Sequence, residues 1–533
     1  MLNFKELPHK GIRKACRVFK HFITIKQEAS FIRHNKKTWR KFQSDKAEGE
    51  ILLEATLTAS SIISFSYLAN LLAKKNNAKI KTYVIEGKRI RKKVYESFNA
   101  EVFYFHLSQS QSMETEKLYN EIYPGLKTKR DVEDLKVEGL WVGDLLYDSH
   151  LRKWLLPTVN IEDYRFQNSL RDTLGYYVYW RDYLDSHDVK SVIVSHGVYH
   201  WYAIILRLAI QRDIPCYQIN ATTLYYLSKE YFQPYAEFYD YPKEFRELTP
   251  EQQRRGLKAA KERLDRRKAG DVGVDMWYSS KSAFLRKGNK RILPESPRIK
   301  VLIPPHCFFD SPHPFGKNLF PDFYEWLTFL GDISEKTDYD WYIKTHPDFI
   351  PANIPIIEQF LSKYPKLTLI SPESSHLQLI DDGLDFVLTV YGTVGSEYAS
   401  LGIPVISAST CNPHIAYNFN IHPKTIGEYE KILMDLPNQK LDIDINEVYE
   451  HYYMKNLDDV DNWLFIDYET FLKESGGYWK QVGSVSYQKF IEEFSERRHK
   501  QILRVLDKFV ESKEYRLRRK HLEPERNVCS CLV

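Results

Sequence analysis

The chain has 533 residues, 43% of them hydrophobic and 28% charged, with a formal net charge of +5. That length exceeds one ordinary core and predicts at least two domains, and the ordinary apolar fraction excludes a disordered or fibrous chain. The mild charge does not call for a nucleic-acid partner, and six scattered cysteines without metal-type spacing exclude a disulfide scaffold and fit a reduced, cytoplasmic setting.

Residues 1–48 form a basic leader, "KGIRKACRVFKHFITIKQEASFIRHNKKTWRKF", with apolar residues between its charges. With the basic tail "EYRLRRKHLEPERNVCSCLV", it predicts peripheral contact with the anionic inner face of a membrane. No signal peptide is recognised, and no apolar run is long enough to span a bilayer. Residues 51–55 read as a short buried strand, followed by a helix with Ser60 or Ser61 as its cap. "AKIKTYVIEG" and "AEVFYFHL" are the next strands, and 114–188 is mostly helical. "VKSVIVSHGVYHWYAIILRLAIQRDIPCYQI" then reads as strand, turn, helix, strand, the unit of a doubly wound sheet. A charged helix over 250–267 and the breakers "KAGDVGVD" and "LPESPR" place a domain boundary near Glu295.

A second α/β series follows in "IKVLIPPH", "DWYIKT", "KLTLIS", "LDFVLTV" and "IPVIS". The predicted organisation is therefore a leader (1–48), a Rossmann-like acceptor domain (49–295), a Rossmann-like nucleotide-sugar domain (296–436) and a helical extension (437–533) that ends in one long charged helix over about 484–519. Two such domains facing a cleft describe an α/β fold of the GT-B type, in which a C-terminal helix returns to the first domain. Aromatic residues make up 14%, including 37 tyrosines, a content that serves sugar binding or large cores alike.

The strand of "DYDWYIKTHPDF" stops at His346 followed by Pro347. In open parallel sheets, ligands bind outside the carboxyl ends of the strands. Strand alternation puts Tyr342, Lys344 and His346 on one side, and Pro347 restricts the backbone of His346. Lys344 and His346 together make a small cationic site. A lone His-Pro more often caps a loop; the later strand–turn–helix "LDFVLTVYGTVGSEYASLGIPVIS" adds the second half of an anion site. There Gly392 and Gly395 let the backbone approach a ligand, the amides from Thr393 to Ser396 face a phosphate, and the Thr393 and Ser396 hydroxyls add hydrogen bonds. Glu397, repelled by phosphate, is expected to accept from ribose hydroxyls or to complement the helix dipole.

These segments, with "CNPHIAYNFNIHPKTIGEYEKIL", resemble the bacterial capsule and surface-polysaccharide biosynthesis family, related to GT-B Kdo transferases and, more distantly, to sialyltransferases with an His-Pro motif. The resemblance is clearest over 299–436. It implies a glycosyltransferase that moves a sugar from a nucleotide-activated donor, often CMP-linked, to a growing surface glycan or lipid-linked acceptor. His346 would contact the donor phosphate, and the Gly392–Glu397 turn would hold phosphate and ribose. No cofactor beyond this co-substrate and no metal is expected. "DDG" (381–383) reads as a helix-to-strand turn, and "DYD" (338–340), at a strand start, receives no metal role.

An acceptor base is expected from the first domain. Asp144 and Asp148 lie four residues apart, on one face if helical, with Asp144 alternatively an N-cap; His196 ends a strand, and His200 follows it without a third metal ligand. Two alternatives remain open: a transferase of glycerol phosphate from CDP-glycerol, and a silent nucleotide-sugar-binding subunit of an export complex.

Overall fold

The structure is a computed structural model that describes residues 9–42, 47–85, 90–276, 279–285, 290–348, 350–458 and 462–522, with side chains of the first helix from residue 24 onward. The extreme ends of the basic leader and tail, including Cys529 and Cys531, lie outside the described residues.

The first half opens with helix α1 (His9–Thr38), strand β1 (Glu50–Glu54), α2 (Ala59–Asn76), β2 (Lys79–Val84), α3 (Lys92–Glu96) and β3 (Ala100–Tyr104). Helices α4 (Gln109–Ile122) and α5 (Lys129–Glu133) lead to a small hairpin, β4 (Lys136–Val137) and β5 (Leu140–Trp141). Then come α6 (Gly143–Trp154), α7 (Tyr164–Ser186), β6 (Val189–Val194), α8 (His200–Gln211), β7 (Cys216–Ile219), β8 (Leu224–Leu227), α9 (Tyr241–Glu247) and α10 (Pro250–Lys268). The first sheet runs β3-β2-β1-β6-β7-β8, parallel except for the antiparallel edge strand β8.

The second half contains β9 (Lys300–Ile303), α11 (Phe323–Lys336), β10 (Asp340–Lys344), α12 (Ile354–Lys363), β11 (Leu367–Ile370), α13 (His376–Asp381), β12 (Phe386–Thr389), α14 (Val394–Ala399), β13 (Val405–Ser407) and α15 (Ile426–Met434). Its sheet, β11-β10-β9-β12-β13, is wholly parallel. Helices α16 (Ile445–Asn456), α17 (Tyr468–Ser475), α18 (Val485–Glu493), α19 (Glu496–Ser512) and the short α20 (Arg519–Leu522) follow. The molecule thus has the two Rossmann-like sheets and helical C-terminal region of the GT-B architecture. "DDG" is the expected turn between α13 and β12.

Strand alternation builds the layers. In β9 and β10, Val301, Ile303, Trp341 and Ile343 enter one apolar cluster, while Leu302 and Tyr342 enter another on the opposite face. In the first sheet, Leu52, Val192 and Val194 face α6 to α8, whereas Ile51, Leu53 and Ile193 face α2 and the C-terminal helices. Those helices return to the first half: Trp463, Phe471, Tyr487 and Phe509 share a core with α2 and with Phe31 of α1, whose ring stacks on Tyr487 at 4.4 Å.

Some local expectations are corrected. Helix α2 starts at Ala59 behind Thr58, and Ser60 and Ser61 are buried inside it without capping. Asp144 is not an N-cap; Val142 holds that position. The stretch over 114–188 is mostly helical as expected, with the short β4–β5 hairpin inserted in it. The expected long terminal helix breaks at Phe494, where Ser495 turns extended and caps α19 by accepting the Arg498 N–H. The packing also crosses the sequence boundary near Glu295. Phe238, Tyr241, Ala260 and Leu264 cluster with Ala399 and Tyr452, and Leu293 lies under the second sheet. Helices α9, α10 and α16 therefore belong physically to the second half.

Candidate functional site

In each sheet the chain reverses its winding direction at one point, between β1 and β6 and between β9 and β12. The crevice outside the strand ends at such a point is where open α/β sheets bind ligands.

In the second half, β10 delivers Lys344 and His346 to that edge. His346 is half-buried. Its Nδ1 accepts the Asp348 N–H at 3.0 Å, a bond that fixes the neutral ring's proton on Nε2. Burial lowers the His346 pKa, with Asp348 opposing the shift, which favours a neutral imidazole that donates from Nε2. Lys344 is 2% exposed and forms no ion pair among the described residues. Burial pushes its amine down to about 8, with Glu397 acting the other way.

The turn after β12 stands on the other side of the same cavity. His346, Thr393 and Glu397 line it together with Arg267, Ser282 and Phe284. The expected convergence of the His-Pro strand end and the glycine turn is therefore present, but the turn works differently in detail. Gly395 donates to the Gly392 carbonyl at 3.0 Å and Ser396 to the Thr393 carbonyl at 3.1 Å, so those amides are spent internally. The Ser396 hydroxyl also turns inward, onto the Thr393 carbonyl at 3.1 Å. The amides of Thr393 and Val394 are the ones the turn leaves for a ligand. The helix behind them is six residues long, so its dipole is small and the local donors dominate.

The two glycines serve packing. A Cβ on Gly392 would stand 2.9 Å from Thr389 Oγ1, and one on Gly395 would stand 2.4 Å from the His414 ring. Both positions need glycine to admit protein side chains, apart from any ligand that approaches the backbone.

Glu397 is 5% exposed and pairs with Arg267 of α10. One of its oxygens is thereby engaged, so its primary partner is a buried guanidinium. Asp348 accepts the Ser280 N–H at 2.8 Å and the Lys281 N–H at 3.2 Å, tying the segment that carries Ser282 and Phe284 to the loop of His346. Sequence reasoning missed Arg267, Ser282 and Phe284. Arg267 is one of several arginines on a charged helix, and no local pattern marks it as buried.

The first-half candidates lie apart from this cavity. Asp144 is clamped bidentately by Arg207, at 2.7 and 2.5 Å, with both residues buried. Asp148 holds His313 Nδ1 at 2.6 Å, and His313 Nε2 lies 3.3 Å from Glu133. Burial alone would depress the His313 imidazole, but Asp148 and Glu133 outweigh it and keep it protonated up to about 10. Neither aspartate has the free, accessible oxygen that a base needs. His196 is exposed; its Nδ1–H donates to the Ser195 carbonyl at 2.7 Å, leaving Nε2 as an acceptor. His200 is buried, with Nδ1 2.7 Å from Thr173 Oγ1.

No protein-family model matches the chain, and no curated protein matches it. Solved structures do. The Kdo transferase KpsC of Thermosulfurimonas dismutans is similar at 14% identity over 50% of this chain and 79% of its own, with a TM-score of 0.29. A UDP-GlcNAc 2-epimerase from Neisseria meningitidis is similar at 12% identity over 76% and 99%, with a TM-score of 0.21. Arabidopsis thaliana UGT89C1 is similar at 11% identity over 83% and 100%, with a TM-score of 0.23.

Proposed function

We propose that the chain is a glycosyltransferase that binds a nucleotide-activated sugar, CMP-linked by preference, in the second-half cavity and transfers the sugar to a surface glycan or lipid-linked acceptor. The observation that carries this reading is the meeting of His346, with its Nε2–H donor, and the Thr393–Glu397 turn around one cavity, with Lys344 buried behind its lining and close enough to act on His346 and Glu397. Glycosyl transfer builds negative charge on the leaving phosphate. Donors fixed in a low-dielectric site stabilise that charge without the reorganisation water would need. His346 Nε2, the Thr393 and Val394 amides and the Lys344 ammonium are the groups available for it. The reading needs no metal, because these cations and donors meet the charge directly. The choice of cytidine rests on the family resemblance of the His-Pro segment.

The reading also places the chain at the cytoplasmic surface of a membrane. Among the described residues of α1, Lys26, Arg33, Lys36 and Lys37 are exposed, as an anionic surface would require. No described helix is long and apolar enough to cross a membrane.

The test is a thermal-shift panel of CMP-, CDP-, UDP- and GDP-linked sugars. A bound donor stabilises the fold by about 2.7 kcal/mol at a hundredfold excess over its dissociation constant. A shift with the cytidine sugars, abolished in His346→Ala, is expected. A response confined to UDP- or GDP-sugars removes the cytidine assignment, and no response from any of them removes the function.

A further inference from the structure

We propose that Asp310, on the loop after β9, is the base that activates the acceptor hydroxyl; this rests on the glycosyl-transfer reading above. The loops leaving the two reversal points meet here. The Tyr199 hydroxyl, from the loop after β6, donates to Asp310 Oδ1 at 3.3 Å. The neighbouring Ser311 carbonyl accepts the Tyr391 hydroxyl at 2.7 Å, and Tyr391 immediately precedes the Gly392 turn. Asp310 thus stands between the first half and the strand end that leads into the donor cavity.

Its carboxylate differs from the others nearby. Asp144 and Asp148 are consumed by Arg207 and His313. Glu54 is buried and holds the Ser195 N–H at 2.7 Å. Asp322 is buried and holds the Thr158 hydroxyl at 2.6 Å. Asp310 is exposed; its Oδ1 takes the Ser311 N–H at 3.0 Å as well as the tyrosine, and its Oδ2 has no partner among the described residues. One oxygen is fixed and the other is left to solvent.

The backbone supplies an independent sign. Tyr199 has φ 68° and ψ 145°, a conformation ordinarily left to glycine. Such a residue is strained and persists only where its surroundings enforce it, most often at a functional site. Its ring stacks on Trp201 at 4.9 Å, and the following His200 N–H is held by Ser149 Oγ at 2.8 Å. The strain keeps the phenol on Asp310 Oδ1 and orients Oδ2. Arg152, exposed, is the cationic side chain of the first half close enough to act on Tyr199 and Cys307.

In the step this geometry serves, the acceptor O–H bond breaks and its proton passes to Asp310 Oδ2. The acceptor oxygen bonds to the anomeric carbon. The bond from that carbon to the donor phosphate breaks, its electron pair leaving on the phosphate, with inversion at carbon.

The test pairs binding with turnover in Asp310→Asn, Asp310→Ala and Tyr199→Phe. CMP is the binding probe, and a CMP-linked sugar with water as acceptor is the turnover probe, read as CMP release. Asp310→Asn is expected to keep the wild-type thermal shift with CMP while CMP release falls by about 10²–10⁴-fold, the usual contribution of a general base. Formate is expected to restore part of the release in Asp310→Ala, and Tyr199→Phe to lower it by about tenfold with binding intact. Wild-type turnover in Asp310→Asn, or a covalent glycosyl adduct on Asp310 by mass spectrometry, overturns the assignment while the nucleotide-binding reading stands. Absence of CMP binding by the wild-type chain overturns both.

Discussion

At the residue scale, Lys344 ties the site's chemistry to pH. Burial holds its folded amine at about 8 against an ordinary 10.5. Affinity for CMP should therefore fall as pH rises through about 8, and Lys344→Met should bind weakly and without that dependence. Stability moves the other way. Between those two values the unfolded chain binds more protons than the folded one, so stability rises with pH across the window. Calorimetric titration with CMP and urea melts over the same range check both signs. Arg267 bears on stability more than on charge count. Arg267→Met strands the buried Glu397 carboxylate and is expected to cost about 3–5 kcal/mol, measured by urea denaturation. Lys344 and His346 were legible because strand alternation and a following proline are local facts. The Arg267–Glu397 pair was not, because it joins residues 130 positions apart.

At the element scale, the strand–turn–helix over 384–407 was legible as a unit, yet its inner bonding was not. Sequence shows that glycines permit close approach; it does not show what approaches. Here the His414 ring fills the place of the Gly395 side chain. Gly395→Ala should therefore destabilise the second half by about 1–3 kcal/mol through overpacking, even without nucleotide. Loss of nucleotide affinity with no change in the urea midpoint would contradict this and return the glycine to ligand contact. The α18–α19 break was missed for a similar reason. Both segments carry helical periodicity, and only the extended Ser495, accepting from the Arg498 N–H, interrupts them.

At the scale of the whole molecule, two α/β series and a returning helical extension were readable from alternating strand and helix patterns. The true partition was not, because helices α9, α10 and α16 choose their half by packing rather than by sequence order. The halves are joined by a buried polar seam. His313 sits between Asp148 and Glu133, and Tyr147 donates to Asp322 at 2.5 Å. The His313 imidazole is protonated up to about 10 when folded, against an ordinary 6.5, so its stabilising contribution is full below the lower value and is lost as pH rises through the upper one. His313→Leu leaves two buried carboxylates facing each other and should cost about 3–5 kcal/mol. Small-angle scattering is expected to show looser halves in that variant, and wild-type dimensions together with wild-type stability would count against the seam as the joint.

The C-terminal strand pairing sets an order of events during synthesis. Tyr515 accepts the Tyr226 N–H at 2.9 Å, and Leu517 donates to the Leu224 carbonyl at 2.9 Å, so the β8 border of the first sheet is closed by residues that follow the whole second sheet in the chain. Every strand of the second sheet, and α16 beside it, has been made before then. The half encoded first is therefore the half finished second, and a nascent chain halted near residue 457 would carry a complete His346 cavity beside an unsealed sheet.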